Sequence, residues 1–208
     1  MVKIGKVYHG NENGKQNKMR LSMSSDHIYT DETGTVWPNV TSILSDVGVV
    51  DKKWFTERSC IRGKMVHLAT ALYDMDNLNE DSVDPVIEPY LDGWIKFRSE
   101  SGFVPDMVEK IVWNETYRYC GTLDRTGEMN GKSVLVDIKS GTVQPATALQ
   151  TSAYDGCLDD IYKRYAVELH DNGTYKLIPY KDRNDWPVWL GCLGYLALRN
   201  WKLNNKIK

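Results

Sequence analysis

The sequence predicts an α/β domain built around one β-hairpin, and three observations predict it. Asn130-Gly131 stands between two runs with strand character, from Gly121 to Ser140, and is the strongest short hairpin signal because both turn residues need a positive φ. Two segments with helical apolar spacing precede the hairpin. A third helix separates it from a second hairpin around Asp171-Asn172-Gly173.

In chain order, residues 1–25 are polar and rich in Lys, Asn, Gly and Ser, and read as an arm or a weak edge strand. Residues 26–208 read as a single domain. A short hairpin around Glu32-Thr33-Gly34 is expected first, followed by a turn at Pro38 and a short helix. A long helix is expected from about Asp51 to Asp74. Asp51 serves as its cap, and Trp54, Arg58, Ile61, Met65, Leu68 and Leu72 form its stripe. The side bearing Cys60, Gly63, Lys64, His67, Ala71 and Asp74 is small and polar, so backbone or ligand can approach it closely. The acidic stretch from Tyr73 to Asp92 reads as a solvated connection. Asp84-Pro85 opens a second helix that turns Ile87, Tyr90, Leu91, Trp94, Ile95 and Arg98 inward and stops at Gly102.

A first strand is expected from Glu109 to Tyr119, and the hairpin supplies the second and third. Pro145 starts a helix to about Leu158. Arg164–Leu169 and Tyr175–Pro179 form two more strands. A last helix from about Asp185 to Lys202 turns Trp189, Leu190, Leu193, Leu196, Ala197 and Trp201 inward.

Composition narrows the function classes. With 208 residues the chain is long enough for a sizeable core, and 41% apolar content argues against disorder. No run reaches about 18 consecutive apolar residues and the N-terminus lacks a signal-peptide core, so no membrane partner and a cytoplasmic location are expected. A net charge of -2 gives no global basic signature, but local clusters govern phosphate contact. Arg58, Arg62 and Lys64 form one such cluster, readable as DNA contacts or as a solvated face. Four scattered cysteines without CxxC spacing read as small hydrophobes.

The chemistry lies in the hairpin. Counting outward from the turn places Asp124 opposite Asp137, with Cβ atoms about 5 Å apart on one face. Lys139, two residues on, shares that face. Two facing carboxylates in a strand pair repel unless a cation sits between them. They are either exposed on a one-sided sheet or they hold magnesium or manganese, which take oxygen ligands. Gln150 and Tyr154, four apart, share one helix face.

The segments GTLD at 121–124, VDIKSG at 136–141, QTSAY at 150–154 and RGKMVH at 62–67 resemble the PD-(D/E)XK nuclease superfamily, in its branch of RecB-like, Cas4-like and phage exonucleases. Four motifs in the family's order cover about Val40 to Lys202. The resemblance implies a restriction-endonuclease-like α/β fold, with a mixed central sheet flanked by helices in the order αβββαβ. It implies that His67, Asp124, Asp137 and the Ile138 carbonyl bind Mg²⁺ or Mn²⁺, that Lys139 positions the attacking water, and that Gln150 holds the nucleotide or the lysine. Glu115 and Tyr154 are accessory candidates.

The activity so implied is metal-dependent DNA hydrolysis, as an exonuclease at linear ends in phage recombination, repair or replication. Recombination or replication proteins and a homo-oligomer are candidate partners. A structure-specific endonuclease, an inactive DNA-binding or assembly subunit, and an RNA substrate stay as alternatives. Some relatives carry an iron–sulfur cluster on C-terminal cysteines; here Cys192 alone lies in the last helix, so no cluster is expected.

Overall fold

The computed structural model describes residues 19–50 and 56–206. Most of the expected arm, together with Asp51 and Trp54, lies outside the described residues. Three short strands, β1 (Leu21–Met23), β2 (Tyr29–Asp31) and β3 (Val36–Trp37), form a small antiparallel sheet. Asp31 organises its turn: one carboxylate oxygen accepts from the Thr33 and Thr35 amides and the other from Trp37 Nε1. Helix α1 (Val40–Asp46) follows, with Asn39 Oδ1 accepting from the Ser42 amide as its cap.

Helix α2 (Glu57–Asp74) begins six residues later than expected. Thr56 and Ser59 close a reciprocal capping box at its start, so the cap is Thr56 and not Asp51. Its orientation also reverses the expectation. Ile61, Met65 and Leu68 are exposed, whereas Val66, Ala69, Thr70 and Ala71 are buried. The small and polar side faces the sheet because it carries the charged partners the sheet needs. Asp74, read from sequence as solvated, has a fully buried side chain that accepts from Arg125, Arg98 and Trp94 Nε1.

Helix α3 (Glu88–Ser101) starts beyond Asp84-Pro85, which instead forms a turn with Asp84 Oδ1 accepting from the Val86 amide. It buries Tyr90, Leu91, Trp94 and Phe97 and ends at Gly102, whose φ of 65° is the left-handed stop expected there.

The main sheet has five strands in the order β4-β5-β6-β7-β8: Val104–Asn114, Tyr119–Met129, Lys132–Lys139, Lys163–Leu169 and Tyr175–Tyr180. Only β6 and β7 run parallel, joined through α4 (Ala146–Asp155). The fold is thus a mixed sheet flanked by helices in the expected αβββαβ order. Asn130 and Gly131 both have positive φ, and the ladder runs from Met129↔Lys132 to Arg125↔Val136, as counting from the turn predicts.

Alternation along β6 divides the core. Val134, Val136 and Ile138 pack under α2 and α3 with Trp94, Phe97 and Phe103. Leu135 faces the other layer, formed by α1, α4 and α5 (Asp185–Asn204), with Leu123, Tyr119, Leu149 and Trp189. Asp137 and Lys139 lie on this second face. In α5, Trp189 and Cys192 are buried as an inward face requires, but Ala197 and Trp201 are exposed, against expectation. Gly191 and Gly194 weaken that helix by roughly 0.8–1.0 kcal/mol each relative to alanine. A Cβ at either would meet nothing within 4 Å. Among the described residues, no helix is long and apolar enough to cross a membrane.

Candidate active site

The site lies where β5 parts from β6. Below it the hairpin ladder is regular up to Arg125↔Val136; Asp124 and Asp137 occupy the next position in that register. There the backbone pairing stops, and the Asp124 side chain replaces it: its Oδ2 accepts the Ile138 amide at 2.6 Å. Its Oδ1 faces α2, 3.5 Å from His67 Nδ1. Asp124 therefore joins the hairpin to the helix above it.

The third acid is Glu109, which sequence reasoning did not single out. It sits on β4 directly after the register slip between Pro105 and Val108, and its φ is 48°. A bulge of this kind re-aims a side chain out of the regular alternation. Here it brings Glu109 Oε1 to 3.5 Å from His67 Nδ1 and 2.9 Å from Arg125 Nη1. One ligand atom each from His67, Glu109 and Asp124 lies within 4.8 Å of the others. Glu115 is placed elsewhere, exposed in the β4–β5 turn near Trp113 Nε1.

Asp137 is 1% exposed. Lys139 Nζ lies 2.7 Å from its Oδ2, yet neither carboxylate oxygen receives an aligned hydrogen bond. The contact is an ion pair that leaves lone pairs unmet. Lys139 is also held by Gln150 Oε1 at 3.2 Å, and Gln150 donates to the Tyr154 hydroxyl at 3.4 Å. Tyr154 lies against Gly121, where a Cβ would come within 2.7 Å of its ring. The glycine of GTLD is thus needed for close approach by α4.

Burial and charge set the protonation states. Burial pushes Asp124 up to about 6, with Asp137 and Glu109 adding to it and His67 opposing. Burial disfavours the His67 cation, but Asp124 and Glu109 outweigh it and raise its pKa to about 9. Burial likewise works against Lys139, and Asp137 and Asp124 outweigh it, so its pKa rises. The Tyr154 phenol is pushed well above its usual range by burial.

These groups fit a divalent cation. Two carboxylates and an imidazole converge, and the lone pairs of Asp137 are buried and unmet. Without a cation His67 carries a proton that offsets part of the negative charge of Glu109 and Asp124, and metal uptake through its ring must release that proton. Because the folded pKa of His67 lies above its ordinary 6.5, its contribution to stability is present below pH 6.5 and lost as pH rises through about 9. In EDTA, the urea midpoint is therefore expected to fall across pH 6.5–9 by an amount equivalent to roughly 3 kcal/mol. His67→Gln flattens that slope; an equal slope in the variant sinks the assignment.

The basic residues of α2 divide. Arg58 and Arg62, four apart, share a flank, and Lys64 sits on the other. Arg58 and Lys64 are exposed. Arg62 stacks over Tyr90 and lines a cleft of about 310 Å³ with Ser140, Gly141, Thr142, Glu168 and His170. The cleft opens at the carboxyl ends of the parallel strands β6 and β7, directly after Lys139, where ligands enter α/β sheets.

No protein-family model matches the chain, and no curated protein matches its sequence. Among solved structures, it is similar to a candidate exonuclease from Eubacterium rectale, with a TM-score of 0.47 and 10% identity over 80% of this chain and 74% of that one. It is also similar to an alkaline exonuclease from Laribacter hongkongensis, with a TM-score of 0.37 and 14% identity over 79% and 93% of the two chains. The complex of that exonuclease with dAMP gives a TM-score of 0.38 and 13% identity over 80% and 94%.

Proposed function

We propose that this chain is a metal-dependent nuclease that hydrolyses DNA phosphodiester bonds. One observation carries the reading: His67, Glu109 and Asp124 converge beside a buried Asp137–Lys139 ion pair at the fork of the central hairpin. Structural economy gives no reason to bury Asp124 and Asp137 beside a partly buried Glu109, since each buried acid costs desolvation that a packed apolar side chain avoids.

In this reading His67, Glu109, Asp124 and Asp137 hold Mg²⁺ or Mn²⁺, with the Ile138 carbonyl as a further candidate ligand. The ion supplies a polarised water and neutralises charge on the scissile phosphate. Lys139, kept cationic by Asp137 and Asp124 and steered by Gln150 Oε1, orients that water with its Nζ donors. Tyr154 fixes Gln150 from behind. Arg62, in its cleft, and the exposed Arg58 and Lys64 meet neighbouring phosphates.

The exonuclease mode and the role in phage recombination, repair or replication follow the motif resemblance, and with the cytoplasmic setting expected from the sequence they belong to the proposal. The test uses end-labelled linear DNA, covalently closed circular DNA and RNA, each with Mg²⁺, Mn²⁺ or EDTA. Metal-dependent loss of linear DNA alone is the expected result. Cutting of closed circles overturns the exonuclease mode, and degradation of RNA alone overturns the DNA assignment. Binding of DNA without cleavage in either metal leaves an assembly subunit in place of an enzyme.

A further inference from the structure

One wall of the cleft beyond Lys139 is fixed by hydrogen bonds that run from the β7–β8 turn to the loop after β6. Asn172 Oδ1 accepts from the Thr174 amide at 3.2 Å and from the Thr174 hydroxyl at 2.6 Å. That hydroxyl has no second proton, so Thr174 Oγ1 accepts from His170 Nδ1, 3.0 Å away. His170 Nε2 lies 3.1 Å from Glu168 Oε1, and Glu168 Oε2 accepts the Val143 amide at 2.7 Å. Burial works against the charge on Glu168, but the amide and His170 outweigh it and hold its carboxyl below the usual range, so it only accepts. Both His170 nitrogens therefore donate, which makes the ring a cation that answers Glu168.

Glu168 stands beside Lys139 in the parallel ladder, so its bond to Val143 ties down the chain that leaves Lys139. Arg62 of α2 supplies the other charge. Its Nε is buried without a hydrogen-bond partner, and its guanidinium lies 5.4 Å from the centre of the Tyr90 ring. Its Nη2 is 3.6 Å from the place a Cβ on Gly141 would take. Glu168 is answered by His170, and Asp171 is exposed at the turn, so Arg62 is the uncompensated charge of the cleft among the described residues. A guanidinium fork held against a ring suits a phosphate.

We propose that the cleft binds the phosphate next to the scissile one on the same DNA strand, with Arg62 as its ligand and His170 as a positioning residue that masks the Glu168 carboxylate from it. Which phosphate enters rests on the nuclease reading above; that a phosphate is recognised does not.

The test is fluorescence anisotropy of labelled single-stranded and duplex DNA with the full chain in EDTA, over a range of salt. Arg62→Gln should weaken binding by about tenfold or more and lower the salt slope by one phosphate's share, roughly 0.7–0.9. Arg62→Lys should keep the slope and lose affinity with the fork. His170→Gln should weaken binding several-fold, because it uncovers the carboxylate. Adding Glu168→Gln, whose amide oxygen still accepts from Val143, should restore binding to within about twofold of wild type. Wild-type affinity and slope in Arg62→Gln overturn the subsite, and a double variant that binds no better than His170→Gln overturns the masking. Binding in the expected pattern without cleavage in either metal would instead remove the nuclease reading and leave the subsite in place.

Discussion

Asp137→Ala is expected to reduce metal-dependent cleavage by about 10²–10³-fold or more while leaving the fold intact. The reason is the asymmetry of its surroundings. Its carboxylate is buried, yet no aligned hydrogen bond depends on it, so its removal frees the fold of a desolvated charge. Lys139→Ala should lose activity to a similar extent for the opposite structural reason. It strips Asp137 of the one cation in contact with it among the described residues, and an uncompensated buried charge costs roughly 3–5 kcal/mol. Steady-state cleavage of linear DNA and urea unfolding in EDTA separate the two effects. Digestion at the wild-type rate by either variant means the site is wrongly placed. Equal stability losses in both would remove the account of the ion pair.

The second large effect concerns stability alone. Arg125 is fully buried, and its guanidinium bonds Asp74 at 2.6 Å, Glu109 at 2.9 Å, Thr70 Oγ1 at 3.1 Å and the Asp124 carbonyl at 2.6 Å. It also lies over the Trp94 ring. Arg125→Met leaves Asp74 buried with Arg98 and Trp94 as its partners and should cost about 3–5 kcal/mol. Adding Asp74→Leu should return only part of that loss: replacing both members of a buried pair by apolar groups is often neutral, but here it also leaves Trp94 Nε1 and Arg98 without their acceptor. Glu109 loses its Arg125 contact in both variants, so cation affinity should stay weakened even where stability recovers. Calorimetric titration with Mn²⁺ reads this directly. Full recovery of both quantities in the double variant would make Arg125 a packing residue only.

The hairpin was legible because its turn chemistry is local: Asn130-Gly131 fixes the register, and register fixes which acids are neighbours. The Gln150 and Tyr154 pair and the place of Lys139 beside Asp137 follow from the same short-range periodicities, whereas the GTLD segment stood out only by its motif resemblance. Glu109 was not legible. Its place depends on a one-residue slip in β4, and nothing in Met107-Val108-Glu109-Lys110 announces a positive φ at glutamate.

The inverted face of α2 has a related cause. Hydrophobic periodicity assigns Ile61, Met65 and Leu68 to the core, but the inward side must carry His67, Thr70 and Asp74 to serve Asp124 and Arg125. The clue lay in the chain: Arg125 directly follows Asp124 in a strand otherwise poor in cations, and a buried arginine needs acids from elsewhere. Asp74 was hidden by its neighbours, because an acid beginning an acidic stretch reads as solvent-facing.

Ile138 donates its amide to the Asp124 carboxylate instead of a strand carbonyl. Ladder amides open when a sheet opens. This one is held by a side chain whose charge varies, so its exchange with deuterated solvent follows a different rule from that of Val136, two residues away on the same strand. Whatever alters the charge on Asp124, a proton included, alters how firmly that single N–H is held. The backbone of β6 thus contains a native probe of the electrostatic state of the site, readable residue by residue without a substrate or a label.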